Sequence, residues 1–369
     1  MNIGIDGRFL AGNRTGIGRY VYELCKAIDK LLPDANFFVY SNLPLQPPVV
    51  SARWTYRIEQ KPPLFYNKQS NLWLKTRLYD VCKKDNLDIF WATATLLPRL
   101  PKNTKIVSTV QDLSFVIAPQ TMHFFTFLMH KIFFKTDLRK ADMLTAISQG
   151  TATRLSEMYG CRVGTILHPA ADKGFRPQAR QEIDTILNLY NITKPFILSV
   201  GTWEPRKNIG ILIETFTSMK RQGLLKDYRL ILVGNKGWKY RPIWSMVRKN
   251  NNKDISYLGY VPDAHLPSIY AGARVFVFPS MYEGFGMPVL EARCCGTYVV
   301  TSDIPELRES GGTDTIYIRP NKSGIRNGIL QALSRGQKIM PSSEMLYSWD
   351  RSAQLLAQTF HEALSLQWP

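Results

Sequence analysis

Val275-Phe276-Val277-Phe278-Pro279-Ser280-Met281-Tyr282-Glu283-Gly284-Phe285-Gly286-Met287-Pro288-Val289-Leu290-Glu291 is the stretch that decides the fold. A β-rich apolar run, two glycines and an amphipathic stretch opening at Pro288 predict a buried strand, a tight loop and a helix N-terminus. The exposed amides and positive dipole end of such a helix favour an anionic group, and glycines let backbone approach a ligand. Glu283 is expected in the loop and Glu291 on the first helical turn, both within reach of the hydroxyls of one polyhydroxylated ligand. A sugar nucleotide suits that arrangement. A plain strand-to-helix turn with two solvated glutamates is the competing reading.

Upstream, Phe196-Ile197-Leu198-Ser199-Val200-Gly201 has a buried-strand pattern, and Thr202-Trp203-Glu204-Pro205-Arg206-Lys207-Asn208 separates it from an apolar-periodic stretch, Ile209 to Met219. Arg206 and Lys207 then stand at a strand's carboxyl end, where open α/β sheets bind ligands. Two adjacent cations there neutralise a diphosphate, Arg as a fork and Lys as a point charge; a solvated basic pair is the alternative. Further units run from Leu230 to Gly234 and from Ile255 to Gly259, ending at Asn235-Lys236-Gly237-Trp238 and Val261-Pro262-Asp263. Repeated strand, glycine turn and helix predict a parallel, doubly wound sheet.

In order, the segments S-V-G-T-W-E-P-R-K-N, L-V-G-N-K-G-W, Y-L-G-Y-V-P-D, L-P-S-I-Y-A-G-A and P-S-M-Y-E-G-F-G-M-P-V-L-E-A resemble glycosyltransferase family 4. These are retaining enzymes of the GT-B fold, and the motifs are closest to the bacterial mannosyltransferase-like branch for surface polysaccharides. The resemblance covers nearly the whole chain. It implies two Rossmann-like α/β domains facing a cleft. It also implies that Glu283 contacts donor-sugar hydroxyls, that Glu291 binds the nucleotide ribose and that Arg206 and Lys207 hold the diphosphate. The donor-binding set extends over Gly201 and the loop Gly284, Phe285, Gly286, Met287 and Pro288.

Near the N-terminus, Ile3 to Gly7 is a predicted strand. Gly12 to Gly18 then form a loop that opens a helix from Tyr20 to Leu32. G-x-G alone equally describes a structural turn; the resemblance places Gly16, Ile17 and Gly18 at the donor phosphate and acceptor. Further strands are expected at Phe37 to Tyr40, Asp88 to Trp91, Lys105 to Val110 and Met143 to Ala146. The proline-containing segment Leu167 to Pro177 suggests a passage between domains, with a boundary near residue 180. The resulting division is 1–180, an acceptor-side domain, and 181–348, a nucleotide-sugar domain. The resemblance adds a terminal helical segment, 349–369, that packs back on the first domain.

The segment Val110-Gln111-Asp112-Leu113-Ser114-Phe115 departs from the family's H-D-L-S-F, because Gln111 stands where a histidine approaches the donor sugar. An amide orients a hydroxyl but does not shuttle a proton near neutral pH. Gln111 thus either takes over orientation or marks a weakened or re-targeted enzyme. Asp112 is the nearest acidic candidate, and a turn-forming or helix-capping aspartate is its alternative. His168 and His265 are expected to be structural.

A chain of 369 residues with 45% hydrophobic and 21% charged residues is long enough for two cores. There is no stretch of eighteen apolar residues and no signal-peptide pattern, so a cytoplasmic location is expected. Five cysteines without C-x-x-C spacing argue against a disulfide framework or zinc site. No D-x-D pair offers a carboxylate clamp for a divalent ion, so metal-independent chemistry is expected, with no cofactor. Arg206, Lys207 and loop amides would stabilise the leaving diphosphate, and the family's front-face attack by an acceptor hydroxyl would give retention.

Net charge is +18, with 25 basic and 13 acidic residues through Arg180 leaving +12, and 22 and 16 leaving +6 afterwards. Such a field attracts phosphate-bearing partners. The segment Thr121 to Lys135 is rich in Phe and Met, and Lys131, Lys135, Arg139 and Lys140 follow its apolar body. That composition suits an interfacial helix at the inner face of an anionic membrane, the alternative being a core helix with a basic end. A nucleic-acid-binding protein would explain the charge but not the paired glutamates, and no binding motif for one appears. A catalytically silent sugar-nucleotide-binding subunit is a third class, encouraged by Gln111. The expected activity is a hexosyltransferase of O-antigen, capsule or exopolysaccharide assembly. Its expected acceptor is a lipid-linked saccharide. Trp203, Trp238 and the mannosyltransferase-like motifs favour GDP-mannose as donor, with dTDP- or UDP-sugars behind it.

Overall fold

The computed structural model describes residues 1–12, 16–59, 69–193, 195–249, 254–335 and 347–366. The chain forms two compact units. Unit 1 comprises Met1–Val116, Met122–Pro169 and Tyr347–Pro369; unit 2 comprises Ile117–Thr121 and Ala170–Leu346. The change of unit comes at Pro169, about ten residues before the expected boundary near residue 180. Residues after it already belong to unit 2, where Phe175 packs edge-on against Tyr270 at 5.9 Å.

Unit 1 is built on seven parallel strands, β1 (Asn2–Asp6), β2 (Asn36–Ser41), β3 (Trp54–Ile58), β4 (Ile89–Ala92), β5 (Lys105–Val110), β6 (Met143–Ala146) and β7 (Thr165–Ile166), in the order β3-β2-β1-β4-β5-β6-β7. Ile3 lies opposite both Phe37 and Ile89, so β1 is central and apolar on both faces, as a parallel sheet covered by helices requires. The helix Gly16–Leu31 buries Tyr20, Val21, Leu24, Cys25 and Ile28, the spacing of one helical face. The terminal helix Trp349–Ser365 lies in the same unit. Trp349 packs edge-on against Tyr20 at 5.9 Å, Phe360 against Trp91 at 6.4 Å, and Ser352 Oγ donates to the His168 carbonyl at 2.7 Å.

Unit 2 carries six parallel strands, β8 (Phe196–Val200), β9 (Arg229–Val233), β10 (Ile255–Gly259), β11 (Val275–Phe278), β12 (Tyr298–Ser302) and β13 (Ile316–Ile318), ordered β10-β9-β8-β11-β12-β13. Its core joins Ile197, Leu230, Val275, Val277 and Val300 of the sheet to Leu212 and Phe216 of the helix Ile209–Arg221 and to Ile325 and Ile329 of the helix Lys322–Ser334. In each unit the strand order reverses once, between β1 and β4 and between β8 and β11. The crevice outside the carboxyl ends at such a reversal is where open α/β sheets take ligands. All five cysteines are free thiols.

Candidate active site

The reversal between β8 and β11 brings together two loops far apart in sequence. Gly201 follows β8, and Pro205–Lys207 then make a single 3-10 turn that Asn208 ends at φ 57 before the next helix. Proline pre-sets the turn's φ, and Asn tolerates the left-handed conformation better than most residues. From β11 the chain continues through Ser280 to Glu283. The amide of Met281 donates to the Arg206 carbonyl at 2.8 Å, tying the two loops by their backbones.

Glu283 is the hub. Its Oε1 accepts from Lys207 Nζ and from Ser280 Oγ, each at 2.6 Å, and its Oε2 pairs with Arg206 Nη1 at 2.8 Å. Arg206 Nη1 also donates to the Tyr282 carbonyl at 2.6 Å, and Lys207 Nζ lies 4.8 Å from the Phe278 ring centroid. Glu283 is 7% exposed. Burial alone would push its carboxyl up, but Arg206 and Lys207, with the hydrogen bonds from Lys207 and Ser280, hold it down at about 2. Burial lowers the Lys207 ammonium below the ordinary lysine value, against the pull of Glu283. Glu204 Oε2 also stands 3.7 Å from Arg206 Nη2, so two cations and two carboxylates form one charged cluster at the strand ends. A carboxylate offers about four acceptor positions, so Oε2 retains one for a hydroxyl.

Glu291 is also buried and accepts from the Tyr270 hydroxyl at 2.9 Å. The helix Met287–Cys294 starts one residue earlier than Pro288, which puts Glu291 in its second turn rather than its first. Gly284 and Phe285 form the bend before it, Met287 and Pro288 open the helix, and Gly286 sits between them at φ 95. A Cβ on Gly286 would lie 2.3 Å from Leu307 Cδ2, so side chain and conformation both demand glycine there.

The remaining candidates belong to unit 1. Gln111 directly follows β5 and is buried, its Nε2 donating to the Thr93 carbonyl just beyond β4 at 2.8 Å. Asp112 Oδ1 accepts from the amide of Ser114 at 2.9 Å and from its hydroxyl at 2.7 Å, the turn-forming role given above as the alternative to acid chemistry. Gly16, Ile17 and Gly18 lie in the first turn of the helix Gly16–Leu31, not in a loop ending at Gly18. The tight contact explains the glycine at 18, whose Cβ would stand 2.4 Å from the Phe9 carbonyl oxygen. The residues 13–15 before them lie outside the described ones.

Two contributors were not singled out from the sequence. Ser280 lies inside the quoted loop, and its signal is a small hydroxyl residue three positions before the glutamate. Tyr270, in L-P-S-I-Y-A-G-A, is apolar in pattern, and only the packing reveals that its hydroxyl reaches Glu291. Trp203, by contrast, is a core residue. It is fully buried, with its ring 4.4 Å from that of Tyr257, so it makes no direct contact with a ligand at the surface. Trp238 Nε1 donates to the Thr121 carbonyl at 2.5 Å. Tyr190 pairs with His265 Nδ1 at 2.9 Å, and His168 stacks on Tyr347 at 4.5 Å, both packing roles.

Comparison with known proteins agrees with this architecture. The profile "Glycosyltransferase Family 4" matches residues 14–172 and "Glycosyl transferases group 1" matches residues 182–339. The O-antigen chain mannosyltransferase B of Escherichia coli is 30% identical over 339 residues, 86% of this chain and 87% of its own length. Sucrose-phosphate synthase from Thermosynechococcus elongatus superposes with a TM-score of 0.72 at 19% identity, over 99% of this chain and 94% of that one. The Anabaena protein Alr3699/HepE, solved in complex with UDP and glucose, does so at 0.69 and 15%, over 98% and 100%. Two parallel-sheet α/β units of the GT-B type, matched along their length by these profiles and by a relative of near-equal length, make the chain a member of glycosyltransferase family 4 and a hexosyltransferase.

Proposed function

We propose that the protein transfers a mannosyl residue from GDP-mannose, with retention, to a hydroxyl of a lipid-linked saccharide in O-antigen or related surface-polysaccharide assembly. The observation that carries this reading is the Arg206–Lys207–Glu283 cluster at the β8/β11 reversal, together with the likeness to an O-antigen chain mannosyltransferase. Cleavage of a sugar–diphosphate bond builds negative charge on the departing phosphate, and cations fixed in advance stabilise it without reorganisation. Arg206 and Lys207 are so fixed, because Glu283, itself held by Ser280, pairs with both from one side. Glu283 keeps an acceptor position for a donor-sugar hydroxyl, and Glu291, oriented by Tyr270, takes the ribose. From unit 1 the family resemblance adds Gln111, a hydrogen-bonding amide for the donor sugar, and Gly16, Ile17 and Gly18 for the donor phosphate and acceptor.

The reading includes reversible attachment to an anionic membrane surface, where a lipid-linked acceptor resides. Among the described residues no helix is long and apolar enough to cross a membrane. The helix Phe124–Lys140 packs on the core through Met129, Phe133, Phe134 and Leu138 and leaves another part of its surface open. Only Phe134, Asp137 and Leu138 are buried, while Phe124, Phe125 and Ile132 stand exposed beside Lys131, Lys135 and Arg139. Exposed aromatic and aliphatic groups interleaved with cations suit a lipid interface.

A thermal-shift screen of GDP-mannose, dTDP-sugars and UDP-sugars tests the donor, since a ligand of the folded state raises Tm. GDP-mannose is expected to give the largest rise; a larger rise with a UDP-sugar would overturn the donor assignment and leave the transferase reading intact.

A further inference from the structure

On the side of unit 1 where β5 and β6 begin, a cavity of about 590 Å³ opens between the loop Leu97–Thr104 and the helix Phe124–Lys140. Its lining is cationic: Lys75, Arg99, Lys102 and Lys140, with Phe133 forming an apolar wall. One further lining residue, Asp142, and one neighbour, Asp137, are carboxylates, and both are already committed. Asp137 pairs with Lys75 and accepts from the Leu97 amide, and Asp142 accepts from the Ile106 amide and pairs with Lys105 at 3.4 Å. Among the described residues no carboxylate forms an ion pair with Arg99, Lys102 or Lys140. Arg99 rests on the Tyr79 ring at 5.1 Å, and the charge of Lys140 opposes that of Lys75.

Three unneutralised cations around a concavity repel one another and raise the local concentration of anions. Phosphate accepts from Arg as a fork and from Lys as a point charge. The apolar wall, Phe133, is contiguous with exposed Ile132 on the helix that also exposes Phe124 and Phe125. A ligand that satisfies both features carries a phosphate joined to hydrocarbon.

We infer that this cavity is a headgroup site for an anionic phospholipid, its phosphate held by Arg99, Lys102 and Lys140 and its chain leaving along Phe133 and Ile132. The inference rests on the membrane attachment proposed above and makes it local: one pocket, rather than the general positive charge of unit 1, sets lipid preference. It lies at the opposite strand ends from Gln111, so it anchors the protein without entering the reaction.

The test is flotation with phosphatidylglycerol–phosphatidylcholine vesicles and with pure phosphatidylcholine vesicles, at fixed salt. It compares the wild type, Arg99→Gln/Lys140→Gln and Lys131→Gln/Lys135→Gln. The two double variants remove equal charge at exposed positions, one pair in the cavity and the other on the same helix outside it. The site predicts at least a tenfold loss of partitioning to the anionic vesicles for the cavity pair and no more than about threefold for the helix pair, with inorganic phosphate releasing wild type better than chloride of equal ionic strength. Equal losses from both pairs, or phosphate acting no better than chloride, overturn the pocket while leaving membrane attachment standing. Wild type that floats with neither vesicle overturns the attachment itself. Inorganic phosphate that binds through Arg99 and Lys140 without any flotation makes this a soluble-anion site and overturns the lipid assignment.

Discussion

Lys207 Nζ lies 2.6 Å from Glu283 Oε1, although 76 positions separate the two residues in the chain. The contact exists because β8 and β11 are neighbours in the sheet, so the first turn after one strand meets the loop after the other. A basic pair and an acidic loop thereby become one preorganised charge cluster.

Removing the hub is predicted to be costly. In Glu283→Gln two poorly exposed cations lose their shared carboxylate, and breaking such a buried pair costs about 3 kcal/mol or more. A Tm lowered by several degrees, with donor turnover also reduced, is the expected outcome; an unchanged Tm would show that the cluster contributes nothing to the fold.

The same residue sets an acid limit. Its carboxyl is held at about 2 in the folded protein against an ordinary 4.5. A depressed folded value stabilises fully above about pH 4.5 and loses that contribution as pH falls toward 2. The stability gap between wild type and Glu283→Gln, measured by urea unfolding at several pH values, is expected to narrow across that window. A gap constant from pH 6 to 3 would contradict the assigned shift.

Much of this architecture was legible in the sequence, and the exceptions have physical causes. β8, β9 and β11 announce themselves as largely apolar runs ended by glycine or proline, the pattern of strands buried on both faces. β7 and β13 have two and three residues, too few for any periodicity, and form only because neighbouring strands supply the hydrogen bonds. The loop residues of the site were readable as types, but their pairing was not, since the order β8-β11 is a property of the whole sheet. Asp112 shows the opposite limit: a charged residue beside a motif position whose oxygen is occupied by the turn that follows it.

Tyr270→Phe is predicted to raise KM for the donor with a smaller change in kcat. The hydroxyl donates to a buried carboxylate, a bond worth on the order of 1.5 to 3 kcal/mol, and its loss is expected to let Glu291 shift from its proposed place at the ribose. Steady-state kinetics separates the two constants; a fall in kcat alone would assign Tyr270 to the chemical step.

Gln111→Ala is predicted to lose more turnover than Gln111→His, which matches or exceeds the parent. Alanine leaves the buried Thr93 carbonyl without its partner, a penalty of about 1 to 3 kcal/mol, whereas imidazole can donate there and also exchange protons. Undiminished turnover in a folded Gln111→Ala variant would place the residue outside the donor site.

Activity is predicted to persist in excess EDTA, because in the proposed site fixed cations offset the diphosphate's charge. Complete loss, restored by Mg²⁺ or Mn²⁺, would show that a metal takes that part.

The central claim, that Arg206 and Lys207 recognise a diphosphate, is tested most directly by calorimetric titration of GDP and GMP against wild type, Arg206→Ala and Lys207→Ala. Each cation is expected to supply about 1.5 to 3 kcal/mol to the diphosphate and far less to the monophosphate. Wild type is therefore predicted to bind GDP at least tenfold more tightly than GMP, and both variants to lose most of that preference. A GDP-to-GMP ratio that stays at the wild-type value in both folded variants would contradict the account.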